Sequence, residues 1–296
     1  MLRAILISFC LFSQQGMLSA SEKMTVLLTN DDGYLSEGIS VLYSALTAVG
    51  YDVTVVAPLN QQSATGMKVS LHPLSVLNHA PNVWSVEGTP ADSVRVALAN
   101  FYKKRPPDYV VSGPNFGQNL GSNVMISGTV AAAVVGTIEG ITSVALSVGL
   151  DLNESNSEPT RFPRTVAAFD SAAKLLVKVL EQHQRQPELI PEGHVLNINY
   201  PLRLNAEGAS YVSSKVSDAG GFGISHGAIN PATNISKVEI FVEQPTKHAT
   251  GVDAKYFSQG RVTFSLLRPD WNAADADVEK LNKFVRNFDV TYGERH

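Results

Sequence analysis

Met24-Thr-Val-Leu-Leu-Thr-Asn-Asp-Asp-Gly33 joins a short apolar run to a polar break of one asparagine, two aspartates and a glycine. An apolar run of this length, bounded by turn residues, is typical of a strand buried in a parallel sheet. Apolar residues then recur at helical spacing from Ile39 to Val49, Gly50 ends that helix, and residues 52–57 read as a second strand. The order strand, helix, strand predicts a βαβ unit, whose crossover is nearly always right-handed.

The pattern continues less regularly along the chain. Further strands are predicted at 83–86, 109–112, 142–148 and 195–199, with a helix over 166–184 and a Gly/Asn-rich loop at 113–126. Thr89-Pro90-Ala91-Asp92 has the composition of a helix start, and Ser127 opens a second run rich in Ala and Val. These elements predict an α/β fold, a Rossmann-like three-layer sandwich with a mostly parallel sheet.

The chain changes character beyond residue 205. Apolar and polar residues alternate at 238–242 and 262–266, between stretches rich in Gly, Pro and Ser. Such alternation predicts an antiparallel β extension over about 205–270, followed by a helix at 274–288. We therefore expect residues 21–296 to form a single domain whose core is 24–200.

Composition and charge exclude several classes of protein. The chain has 296 residues, of which 44% are hydrophobic and 17% charged, and its formal net charge is −4. It contains no long run of Lys or Arg, so binding to a nucleic-acid polymer by counterion release is not expected. Binding of a small phosphorylated ligand requires only a local site, so the net charge does not exclude it.

The first 20 residues read as a secretory signal peptide. Arg3 precedes an apolar run from Ala4 to Phe12, and small residues stand at Ser19-Ala20. The run is too short to span a bilayer, and no later stretch predicts a membrane helix. We expect a secreted or periplasmic protein. The alternative is an N-terminal extension from a start codon assigned too early, on a cytoplasmic protein.

The chain's one cysteine, Cys10, lies inside this predicted signal. Cleavage would leave a mature chain without cysteine. A thiol nucleophile, thiolate zinc ligands and disulfides are then excluded.

Four polar clusters follow a predicted strand or open a predicted helix: 30–33, 60–66, 115–123 and 127–129. Open α/β sheets bind ligands beyond the carboxyl ends of their strands, at points where the strand order reverses. The clusters are therefore expected to converge at one edge of the sheet.

Asp31 and Asp32 carry the strongest chemical signal in these clusters. Adjacent carboxylates repel each other unless a cation or a proton lies between them, and oxygen donors favour Mg²⁺, Mn²⁺ or Ca²⁺. The alternative is structural, with one aspartate capping the next helix and the other solvated.

Two further segments are candidates for the same site. Gly113-Pro-Asn-Phe-Gly117 has the spacing of a hydrolase nucleophile elbow, but it carries Asn115 in place of serine. An asparagine amide oxygen can ligate a metal, although an ordinary Gly/Asn turn has the same composition. Ser127-Gly128-Thr129 at a helix start can present N–H and hydroxyl groups to an anion, or serve only as an N-cap.

Taken in order and spacing, five segments resemble the SurE family, the survival protein E nucleotidases. The resemblance covers roughly residues 24–150, with looser matches at 196–201, 252–254 and 262. The matching segments are Val26-Leu-Leu-Thr-Asn-Asp-Asp-Gly33, Val55-Val-Ala-Pro58 with Ser63, Gly88-Thr-Pro-Ala-Asp92, Ser112-Gly-Pro-Asn-Phe-Gly-Gln-Asn-Leu-Gly121 and Ser127-Gly-Thr-Val-Ala-Ala132.

This resemblance implies a metal-dependent phosphomonoesterase acting on nucleoside 5′- and 3′-monophosphates. It implies one divalent cation per subunit, Mn²⁺ or Mg²⁺, and a swapped C-terminal extension that builds homodimers or homotetramers. The implied metal ligands are Asp31, Asp32, Ser63 and Asn115, with the two aspartates catalytic. The implied phosphate- or substrate-binding residues are Asn30, Asn119, Ser127, Gly128 and Thr129.

The main hypothesis is hydrolysis by a water activated at the cation, with direct attack by an Asp carboxylate as a variant. Ile126 and Val135 depart from the family pattern, which usually has Tyr and often Glu at these positions. These departures keep open a secreted nucleotide- or phosphate-binding protein with lost catalysis or weak general phosphatase activity. A metal-dependent nucleoside hydrolase is a third hypothesis, because it also uses aspartates after a first strand.

Overall fold

A computed structural model describes residues 23–204, 210–218, 220–243, 250–270 and 272–292. The predicted signal peptide, residues 1–20, lies outside these ranges. The strands are β1 Thr25–Thr29, β2 Asp52–Pro58, β3 Val76–Ala80, β4 Val83–Val86, β5 Tyr109–Phe116, β6 Thr142–Val148, β7 Val195–Tyr200, β8 Tyr211–Ser213, β9 Phe222–His226, β10 Val238–Val242 and β11 Val262–Leu267. The helices are α1 Glu37–Ala48, α2 Pro90–Asn100, α3 Gly128–Ile138, α4 Pro163–Arg185, α5 Asp253–Ser258 and α6 Asp275–Tyr292.

Nine strands form one sheet in the order β3-β4-β2-β1-β5-β6-β7-β11-β8. The central strands from β4 to β7 run parallel, as the predicted βαβ pattern requires. From β1 the chain first moves outward to β2 and β4, and it then returns to β5 on the other side of β1. The strand order therefore reverses between β1 and β5. Open α/β sheets bind ligands at such a point, beyond the carboxyl ends of the strands.

Helices cover both faces of the sheet, which gives the predicted three layers. Val26 and Leu28 pack with the α1 and α4 side, while Leu27 between them packs with the α2 and α3 side. Side chains of a strand alternate between the two faces, so burial on both sides requires a continuous apolar run. This requirement explains the composition of β1.

Side-chain caps determine where α2 and α3 begin. Thr89 Oγ1 accepts a hydrogen bond of 3.1 Å from Asp92 N, and Asp92 Oδ2 accepts one of 2.9 Å from Thr89 N. This reciprocal pair is a capping box. Ser127 Oγ accepts from Val130 N at 3.0 Å and caps α3. Both predicted helix starts are confirmed.

β5 extends four residues beyond its predicted end at 112. The predicted loop at 113–126 instead begins with strand residues up to Phe116, and the register shifts between Ser112 and Asn115. Gly113 adopts φ +120°, and a Cβ there would lie 2.2 Å from the carbonyl oxygen of Leu146 on β6. A glycine is therefore required for the strand to continue, although Gly-Pro in a sequence favours a break.

The C-terminal extension is divided between two sheets. β11 joins the main sheet antiparallel to β7, whereas β8 pairs with β11 in parallel. β9 and β10 form a separate antiparallel pair, the β9–β10 hairpin. β3 and α5 were not predicted, and the β3 residues are all exposed, so β3 shows no inside–outside alternation. Within the described ranges, no helix combines the length and apolar character of a membrane span.

Candidate functional site

A pocket of about 210 Å³ opens at the carboxyl ends of β1 and β5, where the strand order reverses. All four polar clusters contribute to its wall, so their predicted convergence is observed. The predicted site residues that line it are Asp31, Ser63, Asn115, Asn119 and Ser127.

Asp31 lies at the base of this pocket with only 2% of its surface exposed. Its Oδ1 accepts a hydrogen bond of 2.7 Å from Thr129 Oγ1. Burial raises the pKa of Asp31, although the Thr129 hydroxyl and the backbone N–H groups of Asp31 and Thr129 oppose that shift. A buried carboxylate of this kind needs a compensating charge to be stable in its ionised form.

Asp32 is half-buried beside it, and its Oδ2 accepts a hydrogen bond of 3.0 Å from Phe116 N. Burial, together with the neighbouring charge of Asp31, raises the pKa of Asp32 from 3.8 to about 8. Neither aspartate caps α1, because the N-cap of that helix is Ser36. Asp32 is not among the residues that line the pocket. No Lys, Arg or His is among the described lining residues, so no cationic side chain there neutralises Asp31.

Asn115 contributes an oxygen without a partner. Its Nδ2 donates to Gly117 O at 2.7 Å, which orients the amide. Its Oδ1 is buried and accepts no hydrogen bond. A buried acceptor without a donor is costly in a protein interior, and a cation at this position would satisfy it.

Ser63 reaches the pocket from the loop after β2. It is exposed, and its Oγ accepts a hydrogen bond from the Gln61 side-chain amide. With the two aspartates and Asn115, it makes an all-oxygen donor set of the kind that hard divalent cations prefer. Within the described ranges no three His, Cys, Asp or Glu side chains cluster, so a site here depends on the amide and hydroxyl oxygens.

Asn119 is held rigidly at the pocket wall. Its Nδ2 donates to Ser147 Oγ at 2.8 Å, and its backbone N–H donates to Asn199 Oδ1 at 2.7 Å. Its carbonyl oxygen accepts from the side-chain amides of Asn197 and Asn199. β6 and β7 thus position this residue, which sequence reasoning placed near the substrate phosphate.

Asn30 does not reach the pocket. Its Nδ2 donates to Gly33 O at 2.9 Å and to Ser36 Oγ at 2.7 Å, and its Oδ1 accepts from Gly33 N. The side chain is fully buried and its hydrogen bonds shape the turn that carries Asp31 and Asp32. The structure therefore assigns the Asn30 side chain to the turn, and its role in phosphate binding stays a prediction.

Gly128 and Thr129 approach Asp31 and are not among the residues that line the pocket. The Thr129 hydroxyl donates to Asp31, as described above. A Cβ on Gly128 would lie 2.8 Å from Asp31 Cβ and 3.0 Å from Asp31 Oδ2, so only a glycine allows this approach. Of the three predicted phosphate-binding residues at this helix start, the structure brings only Ser127 to the pocket.

Sequence reasoning missed the opposite wall of the pocket. That wall is largely apolar and is formed by the loops after β5 and β6 and by the β9–β10 hairpin. Its members outside the predicted clusters are Leu150, Leu152, Phe222, Ile224 and Ile240, whereas Phe116, Gln118 and Asn123 belong to the cluster 115–123 without having been singled out. No local pattern marks the hairpin residues as site residues, because they lie about a hundred residues from Asn115 in the chain.

The two departures from the family pattern fall in different places. Ile126 lines the pocket and is 40% exposed. Val135 is fully buried in the core between α2, α3 and the sheet. Only the residue at 126 can therefore influence a ligand directly.

Comparisons with known proteins agree with this arrangement. The model of the family described as "Survival protein SurE" matches residues 26–220. The chain is 48% identical over 99 residues to the 5′-nucleotidase SurE of Treponema pallidum, which covers 32% of this chain and 53% of that protein. It is 40% identical over 185 residues to the 5′-nucleotidase SurE of Vibrio cholerae, which covers 62% of this chain and 64% of that protein. The matched region thus spans between half and two thirds of these relatives' length.

The fold has a counterpart among solved structures. The SurE protein from Aquifex aeolicus superimposes with a TM-score of 0.71 at 31% sequence identity. The match covers 88% of this chain and 99% of that chain.

Proposed function

The chain belongs to the SurE family, and from that premise we propose that it hydrolyses nucleoside 5′- and 3′-monophosphates to nucleoside and phosphate with one divalent cation. The observation that carries this proposal is the buried, unpartnered Asn115 Oδ1 beside Asp31. Two carboxylates and a buried acceptor without a donor support the proposed cation site.

The residues proposed to hold the cation are Asp31, Asp32, Ser63 and Asn115. Mn²⁺ or Mg²⁺ suits this oxygen donor set. When bound, the cation would polarise a phosphoryl oxygen and activate a water molecule for in-line attack.

The chain's own residues orient this site before any ligand arrives. The Thr129 hydroxyl donates a hydrogen bond to one oxygen of Asp31, and Phe116 N–H donates one to an oxygen of Asp32. The Asn115 amide is oriented by its hydrogen bond to the carbonyl oxygen of Gly117. Such preorganisation lowers the reorganisation needed when charge develops on the phosphoryl group. Ser127 Oγ accepts from the helix it caps, which leaves its hydroxyl hydrogen available to a phosphate oxygen.

Assembly and location belong to the same proposal. We propose a homodimer or homotetramer formed through the C-terminal extension, whose described residues expose Ile229, Ile235 and Val238. Exposed apolar residues of this kind favour a surface that binds a protein partner.

We also propose secretion or export with removal of residues 1–20. Light scattering and intact mass of the secreted chain test these two points.

The test of activity is phosphate release from 5′-AMP and 3′-AMP with Mn²⁺, Mg²⁺ or EDTA. We expect release that depends on the metal, and a metal-induced rise in melting temperature. Asn115→Leu, which replaces the unpartnered oxygen with an apolar group of similar size, is expected to lose both. Asp170→Asn is the control, because Asp170 is exposed on α4 and pairs there with Lys174.

Release that is equally fast in EDTA would contradict the metal site. A folded wild-type chain without release under any condition would favour the nucleotide-binding alternative. Release of ribose from a nucleoside, rather than phosphate from a nucleotide, would favour the nucleoside hydrolase.

A further inference from the structure

We propose that the β9–β10 hairpin forms the nucleobase-binding wall of the site and that the Phe222 ring stacks on the base of the substrate. This inference rests on the proposed nucleotidase function and adds to it the residue that recognises the nucleoside half.

One face of the hairpin points to the pocket. Ile240 stands directly opposite Ile224 in the antiparallel register, and Phe222 lies two residues before Ile224 on the same strand. Side chains two residues apart share a face of a strand, and directly opposed residues share it as well. Phe222, Ile224 and Ile240 accordingly all line the pocket.

The Phe222 ring lies close to the proposed metal ligands. Its Cε2 atom is 3.7 Å from the position that a Cβ on Gly117 would occupy. Gly117 is the residue whose carbonyl oxygen orients the Asn115 amide. A phosphate bound to the cation that Asp31 and Asn115 are proposed to hold would therefore have its ester substituent within reach of this ring.

The backbone of Phe222 is fixed by a half-buried side chain of the loop after β5. Asn123 Nδ2 donates to Phe222 O at 3.0 Å, and Phe222 N donates to Asn123 Oδ1 at 3.2 Å. Gly220 makes room for this contact, because a Cβ there would lie 2.2 Å from the Asn123 amide. The backbone of Phe222 is thus held against the loop that follows β5, the strand that carries Asn115.

The chemistry of this wall suits a base. Phe222 is half-buried, whereas Ile224 and Ile240 are 46% and 60% exposed, so apolar surface remains uncovered beside the oxygen cluster. A flat aromatic base covers such a surface, and any of the nucleobases can stack on a phenyl ring. This predicts tolerance of different bases rather than selection of one.

The space available also fits a nucleoside. The pocket of about 210 Å³ is smaller than a typical ligand site of roughly 300–1,000 Å³. A second cleft of about 880 Å³ adjoins it and shares Gln118, Leu150 and Leu152 with it. The phosphate then occupies the polar end, and the nucleoside extends along the apolar wall.

The experiment compares 5′-AMP with ribose 5-phosphate, which carries the same phosphate and sugar but no base. The measured quantity is the ratio of their kcat/KM values with Mn²⁺ present. We expect wild type to prefer 5′-AMP. Phe222→Ala should lower this ratio about tenfold, as expected for the loss of one stacking contact, and Phe222→Tyr should keep it.

Phe241→Ala is the matched control. Phe241 is on the same hairpin, but its ring crosses Gly223 on the face directed away from the pocket. The ratio should stay within about twofold of wild type in this variant. An equal fall of the ratio in both variants would overturn the proposal, because the hairpin as a whole would then be responsible.

Failure of the base site is distinguishable from failure of the proposed function. A wild-type chain that hydrolyses both substrates with equal kcat/KM, or a Phe222→Ala ratio equal to that of wild type, overturns the base site alone. A folded wild-type chain that hydrolyses neither substrate overturns the nucleotidase function.

Discussion

Thr129 Oγ1 donates a hydrogen bond of 2.7 Å to Asp31 Oδ1, although the two residues are 98 positions apart in the chain. The bond links the first turn of α3 to the end of β1. Both side chains are buried, so the contact is shielded from water. It orients the carboxylate that the proposed metal site depends on.

Thr129→Val should weaken the site without unfolding the protein. Valine keeps the shape of threonine but removes the hydroxyl, and the loss of a partner that orients a ligand typically costs about 10- to 100-fold in metal affinity or activity. The measurement is the Mn²⁺ concentration for half-maximal phosphate release. Thr129→Ser retains the hydroxyl and should restore most of the affinity. A Thr129→Val enzyme with wild-type metal affinity would show that the hydrogen bond is dispensable.

Asp32→Asn should abolish activity and stabilise the metal-free protein. The pKa of Asp32 is raised from 3.8 to about 8 in the folded state, so the folded chain binds a proton more tightly than the unfolded chain does. The free energy of unfolding in EDTA should therefore fall as pH rises from about 4 to 8. At pH 8.5 the variant should exceed wild type by about 1–3 kcal/mol in urea unfolding.

Asp170→Asn provides the comparison for that pH profile, because an exposed ion pair contributes little to stability. Its profile should follow that of wild type. A variant Asp32→Asn that is less stable than wild type at pH 8.5 in EDTA would show that burial does not destabilise the ionised Asp32 carboxylate.

Gly128→Ala should displace Asp31. The new methyl group would lie 2.8 Å from Asp31 Cβ, so the carboxylate or the start of α3 must move. Overpacking of this kind costs about 1–3 kcal/mol, and activity should fall at least tenfold. Gly227→Ala is the control, because the closest atom to its Cβ would be 3.6 Å away. Wild-type kcat/KM in Gly128→Ala would contradict the tight approach of α3 to Asp31.

Asp253→Asn should destabilise the link between the C-terminal extension and the loop after β5. Asp253 is fully buried, and its Oδ2 accepts from Gly121 N at 3.0 Å. Its Oδ1 accepts from the backbone and hydroxyl of Ser217 and from Ala254 N. An asparagine would place an NH₂ group against one of these donors, at a cost of about 1–3 kcal/mol.

The measurement for Asp253→Asn is urea unfolding together with the KM for 5′-AMP, which should rise because Gly121 lies in the loop that positions Asn119 and Asn123. Asp218→Asn is the control on a neighbouring exposed position. Unchanged stability and KM in Asp253→Asn would show that the extension does not position this loop.

The sequence was most informative where a structure depends on near neighbours in the chain. The starts of α2 and α3 are determined by caps within three residues, and the β1 run is continuous because helices cover both faces of that strand. The convergence of the polar clusters also followed from topology, because parallel strands end at one edge.

Other features required atoms that are distant in sequence. β5 continues past Gly113 because the backbone of β6 passes within reach of it, and no residue next to Gly113 indicates that contact. Asn30 was expected to contact phosphate from its position in the motif. Its amide bonds within its own turn, which a residue pattern does not distinguish from a pocket contact.

By itself the sequence determined the α/β class, the central βαβ unit and the candidate oxygen donors Asp31, Asp32 and Asn115. Those features depend on periodicity and on local chemistry, which a single chain displays directly. Only the tertiary structure decided that Thr129 holds Asp31, that Asn115 Oδ1 has no partner, and that Phe222 stands beside Gly117. Hydrogen bonding and burial are properties of packed neighbours, and packing brings together residues that no local pattern connects.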